Sequence, residues 1–364
     1  MVEDRELLCQ AWLSCSDSLG IRARQALKQL SPSAASLFEF FPPEVLDIAG
    51  AKAYQELAAL RDKGLDKLRE ALRRADIRLS MPGDGIFPEP LLQLDDAPEL
   101  LFYRGSLKAQ EARSIAMVGS RRETRYGREQ AFAIARDLAA RGVTIISGLA
   151  RGIDTAAHLG ALEAGGQTIA ILGSGLKNIY PGENRALAER IVHAGGAIIS
   201  EFAPTAEPLA YRFPIRNRLV SGLSQGVLLV EAREKSGTLI TVGHALRQGR
   251  EVFALPGQVD APGSAVPHRL LREGAGLVTC AEDLMADMGW DTPQRLEQTG
   301  MNLPDLTNDQ KRLYDALCLE PLDFGELTDQ LRLPAQQLNV LLTTLEMEGL
   351  IEALPGRRFR ALKR

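Results

Sequence analysis

The sequence predicts an α/β fold: a mostly parallel sheet in a central domain, with a helical domain before it and a winged-helix unit after it. Three observations lead there. Between Ser114 and Leu284 short apolar runs alternate with glycine-bearing turns and helix-like stretches. Before that region apolar residues recur at spacings near three and four, and after it three helical patterns end in a hairpin pattern.

In chain order, residues 1–75 carry Leu7, Ala11, Leu27, Leu30, Leu57, Leu60, Leu68 and Leu72 at helical spacing, punctuated by Gly20, Pro32, Pro42-Pro43, Gly50 and Gly64. Met81-Pro82-Gly83-Asp84-Gly85 with Pro88, Pro90 and Pro98 holds too many turn formers for a helix and reads as the approach to the central domain, 76–288. The apolar runs there are Ile115 to Val118, Val143 to Ile146, Thr168 to Leu172, Ala197 to Ile199, Val227 to Val230 and Glu251 to Leu255. They lack polar alternation and are bounded by glycine, as strands covered on both faces are. A polar linker, 289–304, contains Pro293 and Pro304. The last unit, 305–364, patterns as helices over Asp309 to Leu319, Phe324 to Leu331 and Gln336 to Gly349, then a hairpin through Pro355-Gly356.

Composition sets broad limits. A chain of 364 residues exceeds one ordinary core and suggests two or three domains. Net charge is −4 with 25% charged residues, so a nucleic-acid partner has to be met by a local basic patch. Cys9, Cys15, Cys280 and Cys318 form no Cys-x-x-Cys pair and no metal-like cluster with the four histidines, so no metal or cofactor is expected. Glu3, Asp4, Arg5 and Glu6 precede any apolar run, and no stretch approaches 18 apolar residues. The expectation is a soluble cytoplasmic protein that does not enter membranes.

The turns carry the chemistry, because ligands of open parallel sheets sit outside the carboxyl ends of the strands. The first turn is Gly119-Ser120-Arg121-Arg122. The second is Ser147-Gly148-Leu149-Ala150-Arg151-Gly152-Ile153-Asp154, and the third Gly173-Ser174-Gly175. Glycine lets backbone amides approach a bound group, the helix start adds positive potential, and arginine offers a planar fork to phosphate. Any one of these turns is equally read as a tight βα connection; three together, two of them with arginine, predict a phosphate-lined crevice.

A single strand of nucleic acid needs a positive track and surfaces on which bases stack. Arg121, Arg122, Arg151, Arg216 and Arg218 supply the track if their turns converge. Tyr180 and Phe213, in proline-marked loops, are the stacking candidates, although Phe213 reads equally as a plug between loop and helix. Arg216 and Arg218 have a second reading as partners of Asp154 or Glu231. Asp154, near a helix start, reads as a cap for free amides. Glu231 is open to a base edge, a sugar hydroxyl or Arg218. Lys235 before Ser236-Gly237-Thr238 offers a further anion contact or is a solvated loop lysine. In the last unit Arg357, Arg358, Arg360, Lys363 and Arg364 suit phosphates. The would-be recognition helix has only Gln336, Gln337, Asn339, Thr343 and Thr344 there, so docking to a protein is an equal reading.

These motifs, together with Tyr126-Gly127, Tyr180-Pro181, Phe213-Pro214-x-Arg216-Asn217-Arg218, Glu231-Ala232, Ser236-Gly237-Thr238-Leu239 and Pro256-Gly257, resemble the DNA-processing protein A (DprA/Smf) family in order and over most of the chain. The resemblance implies an extended Rossmann domain that usually dimerises and carries a basic groove with a base-holding pocket. It implies a bacterial protein that binds and protects single-stranded DNA and loads the RecA recombinase on it during natural transformation, with no catalysed reaction. The segment Gly263 to Leu271 departs from the family pattern, with His268 where asparagine is common.

Two enzyme classes compete with that reading. A nicotinamide dehydrogenase needs Gly-x-Gly-x-x-Gly, and the first turn places bulky arginines where backbone must touch pyrophosphate. A phosphoribohydrolase of the lysine-decarboxylase-like kind shares the topology. Its Pro-Gly-Gly-x-Gly-Thr-x-x-Glu corresponds here to Glu234 to Thr241, which keeps Gly-Thr but ends in Thr241, a residue unable to replace the carboxylate. Such an activity would have to use Glu231 or Glu201.

Overall fold

The chain, seen as a computed structural model, is described over residues 2–107, 113–234, 236–290, 306–319, 321–354 and 358–361. The helical spacing of the N-terminal stretch becomes α1 (Val2–Ser14), α2 (Ile21–Leu30), α3 (Ala34–Phe40), α4 (Glu44–Lys63) and α5 (Leu65–Arg74). Leu27, Leu37 and Leu57 are fully buried around Trp12, whose indole Nε1 donates to the Leu57 carbonyl at 2.9 Å. Leu8, Ala11 and Leu72 instead join a core shared with the sheet, beside Phe102, Ala170 and Ile198. Residues Met1–Trp290 accordingly form one compact unit, and Asp291–Arg364 a second.

The turn-rich stretch is not all loop. It holds β1 (Arg78–Ser80), the short α6 (Glu89–Leu92) and β2 (Leu101–Gly105). Asp84 organises its turn by accepting from the amides of Met81, Ile86 and Phe87 at 2.7–2.9 Å. The central segment then alternates β3 (Ser114–Val118), α7 (Arg125–Ala140), β4 (Thr144–Ser147), α8 (Ile153–Glu163), β5 (Thr168–Ile171), α9 (Arg185–His193) and β6 (Ala197–Ser200). It continues with α10 (Arg212–Gly222), β7 (Gly226–Leu229), α11 (Thr238–Arg247), β8 (Glu251–Ala254), α12 (Ala265–Arg272), β9 (Gly276–Leu277) and α13 (Ala281–Asp287). The six expected runs are six strands of this series, each within a residue or two of its expected ends.

Among the described residues nine strands form one sheet in the order β1-β2-β6-β5-β4-β3-β7-β8-β9. Those from β6 to β9 are parallel; β2 pairs antiparallel with β6, and β1 with β2. Pleat periodicity splits each strand between two layers. Ile115 and Met117 of β3 pack under α7, α8 and α13, while Ala116 and Val118 pack under α10, α11 and α12. A strand with apolar residues on both faces therefore needs no polar alternation, which is the pattern its sequence shows.

The second unit has α14 (Asn308–Leu319), β10 (Leu322–Asp323), α15 (Phe324–Leu331), α16 (Ala335–Met347), β11 (Ile351–Leu354) and β12 (Arg358–Ala361), the last two being the wing. Leu313, Leu327, Leu338 and Leu345 make its core. α15 starts with a capping box: Asp323 accepts from the Glu326 amide and Glu326 from the Asp323 amide. Of the expected basic run, Arg358 donates to the Pro321 carbonyl and Arg360 pairs with Glu352; Arg357, Lys363 and Arg364 lie outside the described residues. No helix among the described residues is long and apolar enough to cross a membrane.

One buried titratable group links fold to pH. His158 of α8 is fully buried, and its Nδ1 lies 2.7 Å from Thr168 Oγ1, whose hydroxyl proton goes to the Ile145 carbonyl at 2.7 Å. Nδ1 is therefore the donor. Burial, with Arg216 adding repulsion, lowers its pKa from 6.5 to about 3. The unfolded chain takes up this proton first, so stability is lost as pH falls from about 6.5 towards 3, at about 1.4 kcal/mol per pH unit. Urea unfolding should show His158 costing the protein about 1 kcal/mol between pH 7 and pH 5.5, and His158→Gln should remove that increment. An equal pH slope in the variant would show that the histidine is not its source.

Candidate nucleic-acid interface

Strand order reverses beside β3. The chain adds β4, β5 and β6 on one side of it, then returns to add β7, β8 and β9 on the other. The turns after β3 and β7 consequently diverge, and a crevice opens outside the carboxyl ends of the strands. Here it is a cleft of about 770 Å3. Gly119, Ser120, Arg121 and Arg122 line it after β3, Gly148 and Ala150 after β4, and Arg233, Ser236 and Gly237 after β7. Tyr180 and, from α10, Phe213, Arg216 and Asn217 complete the wall. Thr238 joins two of these segments, its hydroxyl reaching the Gly119 carbonyl at 3.2 Å.

The charge is mainly positive. Arg121, Arg122 and Arg233 are exposed and have no carboxylate partner among the described residues. Arg216 lies beneath them, 3% exposed, donating from Nη1 to the Ile171 carbonyl. Its guanidinium occupies the space a side chain on Gly148 would fill, which is why that turn needs glycine. Burial lowers the Arg216 pKa to about 10, with Asp154 opposing and Arg121 reinforcing the shift, so it stays charged at neutral pH. Asp154 is the one acidic residue among the described residues lining the cleft. Burial pushes its carboxyl up, against Arg216 and two amides. Those amides belong to Gly148 and Ala150, at 3.0 and 3.2 Å. The residue therefore caps free amides of the turn ahead of α8.

The aromatic pair stands against this charge. Phe213 and Tyr180 have ring centroids 5.7 Å apart, and the Arg121 guanidinium carbon lies 5.3 Å from the Phe213 centroid. Tyr180 is 42% exposed. A β-carbon on Gly173 would come within 2.8 Å of the Phe213 ring, so the third turn's first glycine makes room for this aromatic. Arg151 lines a smaller recess of about 200 Å3 with Arg121, Tyr180 and Phe213, and its guanidinium makes a two-point ion pair with Glu183.

Other expected residues are placed away from the cleft lining. Ser147 is buried in β4 and donates to the Met117 carbonyl at 2.7 Å. Gly152 starts α8 against the Ser120 carbonyl, and Gly175 lies against the carbonyls of Ala203 and Pro204. Arg218 faces the other way, pairing with Glu201 at 2.5 Å and Asp96 at 3.2 Å. Glu231 does not meet Arg218; it accepts from the Thr124 amide and hydroxyl and so fixes the start of α7. Both carboxylates available to a nucleotide hydrolase, Glu231 and Glu201, are thus engaged outside the cleft. Lys235 lies outside the described residues. Sequence reasoning missed Arg233, whose only signal is its place between the Glu231-Ala232 and Ser236-Gly237-Thr238 motifs.

The sequence signature of DNA recombination-mediator protein A matches residues 78–289, and that of the DprA winged helix domain matches 297–357. The chain belongs to the DNA recombination-mediator protein A family. Within this family it is 41% identical to Protein Smf of Escherichia coli over 76% of this chain and 75% of that one. It is 42% identical to the DNA processing protein DprA of Streptococcus pneumoniae over 56% and 72%. The solved DprA structure from S. pneumoniae superposes with a TM-score of 0.62 at 34% identity, over 76% of this chain and 95% of that one. DNA processing protein A from Helicobacter pylori, described as binding single-stranded DNA, gives 0.53 at 29% identity, over 60% and 98%.

Arg218 provides a stability test of this geometry. Its side chain and that of Glu201 are only 10% and 13% exposed, and removing one member of a buried pair leaves the other charge uncompensated. Arg218→Ala should lower unfolding stability by about 3–5 kcal/mol in urea titration; a loss near zero would contradict the buried pairing.

Proposed function

We propose that this chain is a DNA-processing protein that binds single-stranded DNA in the crevice beside β3, catalysing no reaction on it. Arg121, Arg122 and Arg233 hold phosphates, with Arg216 adding charge from below and Arg151 joining at the recess. Phe213 and Tyr180 stack bases. The amides of Gly119, Ser120 and Gly237 and the side chain of Asn217 supply further polar contacts, while Gly148 makes room for Arg216. Ser147, Gly152, Gly173, Gly175, Arg218 and Glu231 act by shaping and bracing these walls. The observation that carries the reading is the Arg121 guanidinium over the Phe213 ring at an open crevice, a cation and a stacking face within one nucleotide's reach. We extend the proposal, on the family's likeness, to a cytoplasmic homodimer that protects the bound strand and loads RecA during natural transformation.

Fluorescence anisotropy with a labelled oligonucleotide, single-stranded and duplex, across a salt series tests the binding. Tighter, salt-sensitive association with the single strand is expected; no association at low salt, or equal affinity for duplex, overturns it. Arg121→Ala should weaken binding to all sequences alike and make the salt dependence shallower by about 0.7 to 1 in slope, and an unchanged slope would remove Arg121 from the track. For the loading role, RecA assembly on the same strand should begin sooner when the protein is present. An unchanged lag overturns that part alone.

A further inference from the structure

A strand held in the crevice has to leave it, and on one side the crevice adjoins two further hollows that share its arginines. Arg121 lines the crevice, the small recess and a third hollow of about 550 Å3; Arg151 lines the last two. This third hollow lies between α7 and α8. The two helices touch closely where Gly160 admits the Phe132 carbonyl, and their N-terminal turns bound the space beside that contact. Its floor is apolar, built from Phe132, Ala156 and Leu159, and its rim bears Arg121, Arg128 and Arg151 alternating with Glu123, Glu129 and Glu183, of which Glu129 is paired with Arg125 and Glu183 with Arg151. Arg121 and Arg128 have no carboxylate partner among the described residues. An apolar floor below the two arginines that lack a carboxylate partner among the described residues fits a base below its phosphates.

At the entrance Glu183 meets Arg151 through both carboxylate oxygens, Nε to Oε1 and Nη2 to Oε2, each at 2.8 Å. Both side chains are more than half exposed, so solvent and salt screen the pair. Two parallel N–H···O bonds from arginine are also how a phosphate is held. Asn184, next to Glu183, is buried and donates to the Leu149 carbonyl and to Thr155 Oγ1, fixing this segment over the start of α8. The carboxylate is thereby held at a place where backbone phosphate can replace it.

Resting on the crevice reading above, we propose that the strand continues past Arg121 and Arg151 into the α7–α8 groove, where a base packs on Phe132 and Leu159, and that Glu183 occupies a phosphate position until DNA displaces it. Glu183 thus weakens binding of long strands and leaves the crevice itself untouched.

The test uses the full chain with two fluorescein-labelled probes: an oligothymidine trinucleotide, short enough for the crevice, and an oligothymidine of about sixteen residues, near the upper site size of single-strand binders. Glu183→Gln should bind the long probe several-fold more tightly, with a salt slope steeper by about 0.7, and the trinucleotide as the wild type does. Phe132→Ala should bind the long probe about tenfold more weakly, again with the trinucleotide unchanged. Should Phe132→Ala fail to fold by circular dichroism, the exposed Glu183→Gln decides alone. Wild-type affinity and slope for Glu183→Gln on the long probe, with Arg121→Ala still losing binding, overturn the groove and leave the crevice standing. Failure of the wild type to bind either probe overturns the crevice reading first.

Discussion

The guanidinium of Arg216 is the interaction on which the site depends. A charge removed from water is costly unless other groups replace its hydration. Here the Ile171 carbonyl accepts from it, Gly148 leaves room for it, and the Asp154 carboxyl offsets its charge. Gly148 and Asp154 belong to the turn between β4 and α8, and Ile171 ends β5. The buried ion therefore ties α10 to the turns that form the crevice. It also leaves positive potential beneath a surface that carries three further arginines.

The same helix α10 is fixed from its other side. Arg212, 3% exposed, pairs with Asp17 at 3.0 Å and donates to the Glu207 carbonyl, while Arg218 is held by Glu201 and Asp96. Three arginines within two turns thus serve three directions, towards the crevice, the N-terminal helices and the approach segment. This is a physical reason for the N-terminal helices to share a core with the sheet: the link at Asp17 and the apolar packing of Leu8, Ala11 and Leu72 act on the same unit. It also explains why Arg218, adjacent in sequence to crevice residues, does not share their exposure. Successive residues on a helix point about 100° apart.

Wall and floor are built by different means. Arg121, Arg122 and Arg233 stand on turns, free of carboxylate partners among the described residues, so their charge is available to an anion. Phe213 is held by Gly173 behind it and Tyr180 beside it, so its ring is preorganised before any ligand arrives. Glu231 contributes by fixing the Thr124 end of α7, and with it the turn that presents Arg121. The crevice combines a preorganised aromatic face with cations that have no carboxylate partner among the described residues.

The sequence by itself determined the central strands, the winged-helix order of the last unit and the motifs that name the family, because these depend on local pattern: unbroken apolar runs, helical spacing and glycine at turns. It pointed to Arg121, Arg122, Gly148 and Phe213 around one crevice since βα turns of a parallel sheet all open at the same edge. It did not show β1 and β2 within the proline-rich approach, where pairing with β6 overrides weak local preference. Nor did it show Arg233 in the wall, Arg218 turned away or Glu231 bound to Thr124. Those outcomes were decided by tertiary structure, because which neighbour an arginine or a carboxylate meets depends on strand order and helix rotation, and no spacing along the chain encodes either.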